Sequence, residues 1–331
     1  MSLNILILSA GRRVELVNLF KKTISDNNIE AKVIAADLQE NAPALFYADE
    51  KVILPHVLND NYVEELVRYC NSYNVRWIIP TIDTELKVLS KNQDYIERSS
   101  KAQVMISSKN VINICRDKIE TSKFFFDNNL GAPKEYKIDE INEEFTEFPV
   151  FAKPKSGSSS KDIFKLNNFD EFSEIINRIE DPIIQEYIEG EEYSVDVFVD
   201  ENHLPISIVP RLRIATRGGE ILKGKIIKDK EIINEVKTLI KKLKPFGHIT
   251  VQLFKSEDGI KFIEINPRFG GGAPMSILSG ANSCKYLFDI ALGERLLYTE
   301  DYEDNITFLR FDRSICINDN MEIIHDKSTD L

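Results

Sequence analysis

Short apolar runs alternating with amphipathic segments mark the first third of the chain. Ile5 to Leu8, Ala31 to Ala36, Lys51 to Leu54, Trp77 to Pro80 and Gln103 to Ile106 have the length and near-continuous hydrophobicity of buried strands. Val14 to Ile24 and Tyr62 to Tyr73, between them, repeat apolar residues at helical spacing. Continuous apolar strands alternating with helices predict a Rossmann-like parallel sheet covered on both faces. The first strand runs into Ser9-Ala10-Gly11-Arg12-Arg13 and the second ends at Asp37, as in a dinucleotide fold, but the glycine fingerprint is incomplete. Gly11 therefore reads as a tight strand-to-helix turn. Arg12 faces either an anionic ligand or a surface carboxylate.

Past Ser107-Ser108, a helix start, the pattern changes. Asp117 to Asn128 predicts a helix carrying Lys118, ended near Gly131-Ala132-Pro133. Phe148 to Pro154 reads as a strand, the serine-rich stretch after it as a loop, Phe169 to Ile179 as a helix and Ile183 to Tyr187 as a strand. Tyr193 to Val199 and Leu204 to Leu212 are strands joined by a turn at Asp200 to His203, and Ile232 to Leu243 is a helix. The whole is α/β followed by α+β.

A hairpin follows. Side chains on a strand alternate between faces, so Phe262, Glu264 and Asn266 form one set and Ile263 and Ile265 the other. On the preceding arm Thr250, Gln252 and Phe254 are separated from Val251 and Leu253 in the same way. A three-residue loop, Glu257-Asp258-Gly259, sets Gln252 opposite Glu264, whereas a slip of one residue would mix the two faces. Oxygen donors from two amides and a carboxylate suit hard Mg²⁺, which keeps waters and shares phosphate oxygens with its nucleotide. Polar alternation of this kind is equally what a solvent-facing antiparallel hairpin presents.

Composition narrows the class. The 331 residues are 43% hydrophobic and 29% charged, as in ordinary globular proteins, and long enough for two or three domains. A net charge of -12 argues against nucleic-acid binding, which needs a basic surface. Cys70, Cys115, Cys284 and Cys316 show no metal-ligand spacing and fit reduced thiols in a cytosol. No apolar stretch reaches the length of a membrane span, and Asn4 to Leu8 is too short for a signal-peptide core, so a cytoplasmic protein is expected.

Several other stretches carry candidate chemistry. Lys153 ends a strand and is followed by Gly157, Ser158, Ser159 and Ser160, a small-residue loop whose backbone N–H groups suit phosphates; alone it is also a plain surface turn. Gly219 to Lys225 imitates a phosphate loop, but Ile226 stands where serine or threonine is needed, which excludes it. Glu186-Tyr187-Ile188 and Glu192 flank a glycine-bearing turn, where extended backbone can meet an adenine edge and a carboxylate can bind ribose hydroxyls; the alternative is an acidic connector. Arg211, Arg213 and Arg217 offer a grip on a substrate carboxylate, with a solvated basic strand favoured for Arg213 and disfavoured for Arg217. Phe269 to Pro274 gives a glycine-rich backbone able to approach a ligand before a helix begins at Pro274.

In this order the motifs resemble the ATP-grasp superfamily, most closely short relatives of the carbamoyl-phosphate synthase large subunit. The resemblance spans nearly the whole chain and implies a pre-grasp domain over 1–110, a small lobe with the phosphate loop over 111–187 and a large lobe with metal and catalytic residues over 188–331. It implies ATP and Mg²⁺ as cofactors. By resemblance, Lys118 and Lys153 bind nucleotide, Gly157 to Ser160 cover the phosphates, Glu186, Tyr187 and Ile188 form the adenine hinge, and Glu192 binds ribose. Gln252, Glu264 and Asn266 correspond to the metal ligands and Arg268 to the arginine that steadies the reacting phosphate. Arg217 joins Arg268 and Lys153 as a catalytic candidate, and glutamine at 252 is a trait of the carbamoyl-phosphate synthase branch. The family's second loop glycine is missing near Asp162, and the chain carries neither an amidotransferase part nor a second synthetase half, so carbamoyl phosphate synthesis as such is not expected. The expected activity is ATP-dependent joining of a small-molecule carboxylate to an amine through an acyl phosphate. The competing reading is a catalytically silent nucleotide-binding regulatory module; an oxidoreductase using the first domain is disfavoured by its incomplete glycine motif. A homodimer is the default assembly.

Overall fold

The computed structural model describes residues 3–155 and 163–326. Strands β1 (Asn4–Ile7), β2 (Val33–Asp37), β3 (Glu50–Ile53), β4 (Val75–Ile79) and β5 (Gln103–Val104) form a parallel sheet in the order β3-β2-β1-β4-β5. Helices α1 (Val14–Asp26), α2 (Tyr62–Ser72) and α3 (Asp83–Ser100) connect it. The near-continuous hydrophobicity of its central strands β1, β2 and β4 follows from burial on both faces, whereas edge strand β3 buries only Val52. Ile5, Ile7, Val33, Ala35, Trp77 and Ile79 meet Leu16, Val17 and Phe20 on one face, while Leu6, Leu8, Ile34, Ala36 and Ile78 meet Leu66, Leu86 and Leu89 on the other.

Two helices lead out of this domain. Ser108 caps α4 (Lys109–Arg116) by accepting from the Val111 N–H, and Asp117 caps α5 (Lys118–Asp127) by accepting from Ile119 and Glu120. Their apolar residues Val111, Cys115 and Phe125 enter the core of a six-stranded sheet further along the chain. Next come β6 (Glu135–Tyr136), β7 (Val150–Pro154), β8 (Phe164–Leu166), α6 (Phe169–Ile175) and β9 (Pro182–Glu186), a four-stranded antiparallel sheet in the order β6-β9-β7-β8. The helix expected to run to Ile179 tightens after Ile175 into a 3₁₀ turn, Ile176–Arg178.

The six-stranded sheet is antiparallel and contains β10 (Glu191–Val199), β11 (Pro205–Arg217), β12 (Glu220–Ile226), β13 (Gly247–Ser256), β14 (Gly259–Asn266) and β15 (Thr307–Leu309), in the order β14-β13-β10-β11-β12-β15. Helix α7 (Lys230–Leu243) covers one face with Ile232, Ile233, Val236, Leu239 and Ile240. The rejected phosphate-loop imitation is β12, and β11 runs past the expected Leu212. Gly218 and Gly219, at φ +58° and +79°, make the two-residue turn between them, a backbone that suits glycine. Helices α8 (Ala273–Leu278) and α9 (Ser283–Ala291) bring the polypeptide after β14 back against the parallel sheet. Phe20 meets Phe269 and Phe288 edge-on, and the Trp77 indole donates to Leu287 O at 3.0 Å. A hairpin of β16 (Ile315–Ile317) and β17 (Ile323–Asp326) follows.

In the β13–β14 hairpin Gln252 pairs with Glu264 and Thr250 with Asn266, as the register argument requires, but by another route. Ser256 pairs with Gly259, so the loop has two residues rather than three, and a bulge at Ile263 restores the register because Leu253 faces Phe262. The bulge also turns Phe262 over. Expected on the face of Glu264, it is 1% exposed and packs with Val251, Leu253 and Ile265.

Candidate functional site

Glu264 anchors the polar face of this hairpin. Its Oε1 accepts from Gln252 Nε2 and from Asn266 Nδ2, both at 2.7 Å. Arg268 extends the group, its Nη2 donating to Asn266 Oδ1 at 3.1 Å and to Asp83 Oδ2 at 2.8 Å. Asp83 sits at the start of α3 and also faces Arg116 at 3.6 Å, so the N-terminal domain holds the arginine that closes the hairpin site. One carboxylate and two amides, all hard oxygen donors, fit Mg²⁺ that takes its remaining ligands from water and phosphate. Among the described residues no cluster of three or more His, Cys, Asp or Glu side chains forms an all-protein metal cage.

Opposite stands the four-stranded sheet. Burial pushes the Lys153 ammonium down to about 8, neighbouring Lys118 adds to the depression, and Glu264 and Glu135 oppose it. Burial likewise lowers Lys118, which feels Glu264 and donates its Nζ to Pro154 O at 2.6 Å. Lysines from β7 and α5 and the carboxylate of β14 therefore share one electrostatic environment, although β7 and β14 belong to different sheets. The expected phosphate loop, Gly157 to Ser160, lies outside the described residues.

The segment after β9 joins the two sheets. Glu186 Oε1 accepts from Lys134 N at 2.9 Å and pairs with Lys261 at 3.1 Å, while Lys165 lies 3.9 Å from the Tyr187 ring centroid. Ile188 is half-buried. Gly190 passes so close to β13 that a Cβ would come within 2.4 Å of Lys255 O. Burial raises the Glu192 carboxyl, and the Arg213 Nε, 3.0 Å away, opposes that shift. Arg213 also donates to Ser194 Oγ and Gly219 O, and its side chain is 8% exposed. The solvated-strand reading of Arg213 is thus corrected: β11 turns it inward, where Glu192 neutralises it. Arg217, by contrast, is exposed at the hairpin end and pairs with Asp312 at 3.1 Å, and Arg12 meets the same carboxylate at 3.0 Å.

Arg211 is not available to substrate. It is 2% exposed and donates to Asp196 Oδ2 at 2.9 Å; Ser276 Oγ donates to the same oxygen and Thr250 Oγ to the other. Burial alone would raise the Asp196 carboxyl, but Arg211 and His248 hold it well below the carboxylate range. The glycine-rich segment after Arg268 closes over this network. A Cβ on Gly272 would lie 2.2 Å from Arg211 Nη1, so these glycines admit the protein's own arginine. Sequence reasoning missed Asp83 and Asp196. For Asp83 a signal existed, its place just beyond the carboxyl end of a parallel strand.

This geometry agrees with comparisons to known proteins. Residues 5–105 match the model of the PylC-like N-terminal domain and residues 115–272 that of the ATP-grasp domain. A carbamoyl-phosphate synthase of Methanobrevibacter smithii is 24% identical over 306 residues, spanning 86% of this chain and 80% of that protein. Phosphoribosylglycinamide synthetase from Anaerococcus prevotii superimposes with a TM-score of 0.67 at 20% identity, over 93% of this chain and 80% of that one. The biotin carboxylase domain of Hydrogenobacter thermophilus 2-oxoglutarate carboxylase, a dimer solved with MgADP, gives 0.67 at 18% identity over 92% and 73%. The chain thus carries a PylC-like N-terminal domain followed by an ATP-grasp domain. By these two domains the protein stands with the ATP-dependent ligases that form C–N bonds, which use ATP and Mg²⁺. Among the described residues no helix is long and apolar enough to cross a membrane.

Proposed function

We propose that the protein joins a small-molecule carboxylate to an amine by way of an acyl phosphate. The observation that carries this reading is the convergence of Lys118 of α5, Lys153 of β7 and Glu264 of β14, with Arg268 bonded to the neighbouring Asn266. A carboxylate oxygen attacks the γ-phosphorus, the bond to the bridging oxygen breaks and ADP leaves. The amine nitrogen then attacks the acyl carbon, phosphate leaves and the nitrogen loses a proton. Two anions must meet in the first step, so positive charge is the main requirement. Lys153 and Lys118 lie along the triphosphate, and Arg268 faces the transferred phosphoryl group and the oxygens of the acyl phosphate. Bound Mg²⁺, held by Gln252, Glu264 and Asn266, supplies further charge to the phosphates. The Glu186–Ile188 backbone takes adenine and Glu192 the ribose, and Gly157 to Ser160 are the proposed phosphate-binding residues. Arg217 is the outermost candidate for the substrate carboxylate. Incubation with ATP, Mg²⁺ and pooled amino acids should release ADP in a substrate-dependent manner. Absence of stimulation across a broad pool of acids and amines would instead favour a silent nucleotide-binding module. A cytoplasmic homodimer is the proposed state, checked by light scattering.

A further inference from the structure

A second group of charges sits where the parallel sheet meets the β11–β12 hairpin, and the nucleotide site does not use it. Strands β2 and β4 lie on opposite sides of β1, and in an open parallel sheet the crevice beyond the carboxyl ends at such a reversal is where ligands bind. Arg13 comes from the connection leaving β1, immediately before α1, where its side chain makes no capping hydrogen bond. Its guanidinium lies against Gly271, on which a Cβ would come within 2.5 Å of Nη1. Arg310 follows β15. Both arginines reach Glu220 only at ion-pair range, 3.8 Å for Arg13 and 3.6 Å for Arg310, and Arg310 also donates to Ile221 O at 3.0 Å.

These cations crowd one another. Burial lowers the Arg13 pKa, Glu220 opposes the shift, and Arg268 and Arg310 add to it. The Arg268 Nε is itself buried without a hydrogen-bond partner among the described residues. Farther out, Arg12 and Arg217 share Asp312. In a chain of net charge -12, guanidinium groups here outnumber the carboxylates that face them. Half-buried cations facing loosely placed partners are unfavourable unless another anion joins them.

We propose that Arg13 and Arg310, beside Arg268, form an anion subsite that takes a second anionic group, carboxylate or phosphate, on the acid to be activated. The proposal rests on the ligase reading above and deepens it. The acid is then dianionic: one carboxylate reacts near Arg268 and the hairpin, and the other anionic group sits between Arg13 and Arg310. Arginine suits both chemistries because its planar fork meets two oxygens at once.

The test is calorimetric titration of the protein with succinate, inorganic phosphate and acetate, with and without Mg²⁺ and a non-hydrolysable ATP analogue. Succinate or phosphate should bind at least about tenfold tighter than acetate, as expected for charge-assisted arginine contacts. Arg13→Gln and Arg310→Gln should each lose that advantage while binding nucleotide normally. Gly271→Ala, which displaces Arg13 without removing its charge, should weaken the dianion in the same way and covers the case in which Arg13→Gln fails to fold. Whichever of succinate and phosphate binds tighter names the anionic group. Equal affinity for acetate and both dianions would overturn the proposal, as would wild-type dianion binding by Arg310→Gln and Gly271→Ala. An equal loss in Arg178→Gln, a distant surface change, would also overturn it. Failure of nucleotide to bind would sink the ligase reading, while the nucleotide-free titrations would still decide the subsite.

Discussion

Lys153 makes nucleotide binding pH-dependent in a calculable way. Burial and Lys118 bring its ammonium down to about 8, so the free protein loses this proton within reach of ordinary buffers. Phosphate oxygens beside the lysine favour the charged form, so MgATP binding must return the proton above pH 8. At pH 9 about nine-tenths of Lys153 is neutral and binding takes up about 0.9 proton, with affinity about elevenfold below its low-pH limit, roughly 1.4 kcal/mol. Lys118, also lowered, acts in the same direction. Titration of MgADP in two buffers of different ionisation enthalpy measures the uptake directly. Lys153→Arg, whose guanidinium stays charged, should reduce the uptake and flatten the affinity profile. Stability of the free protein carries the complementary sign. The folded lysine binds fewer protons than the unfolded one between about pH 8 and its ordinary 10.5, so its contribution to stability rises with pH across that window. Uptake near zero from pH 7.5 to 9.5, or a profile for Lys153→Arg identical to wild type, would refute the placement of Lys153 against phosphate.

Other outcomes are expected from the same geometry. Glu264→Gln removes the only carboxylate among the hairpin's metal donors and should lower substrate-stimulated ADP release by about a hundredfold or more, with a raised Mg²⁺ requirement. Asp83→Asn weakens the contact that orients Arg268 and should cut kcat by about tenfold with little change in the KM for ATP, as loss of a supporting contact does. Asp196→Ala strands the buried Arg211 charge and should destabilise the fold by about 3–5 kcal/mol in urea unfolding. Gly272→Ala drives a methyl into the Arg211 guanidinium and should cost about 1–3 kcal/mol in the same assay.

The N-terminal sheet was legible because burial on both faces leaves near-continuous apolar runs in its central strands β1, β2 and β4, a pattern that needs no knowledge of partners. Pairing of Gln252 with Glu264 was legible for a related reason: only one register keeps the two faces of the hairpin distinct. The bulge at Ile263 was not, since Phe262 is compatible with either face until Phe125, 5.7 Å away between ring centroids, supplies a core for it. Arg211 and Arg213 show the same limit more sharply. Two residues apart on β11, they look alike as charged strand positions, yet one is neutralised by Asp196 and the other by Glu192. What decides between solvent, structure and substrate is the carboxylate opposite, contributed in both cases by β10 through a pairing that local spacing does not encode.

That distinction bears on how the site divides its labour. Asp196, satisfied by Arg211, Thr250 and Ser276, is buried and fully engaged, and it fixes β10, β11, β13 and α8 against one another beneath the glycine-rich segment. Glu264, by contrast, is exposed and hydrogen-bonded only by neutral amides, and Arg13 and Arg310 reach the Glu220 carboxylate only at 3.8 and 3.6 Å. Loosely compensated charge thus runs from Lys153 past Glu264 to Arg13 and Arg310, while Arg268, held by Asp83, and the charges behind that line are paired. A scaffold with its internal charges neutralised can hold the remaining ones in place before any ligand arrives, which is the arrangement that electrostatic stabilisation of a phosphoryl transfer requires.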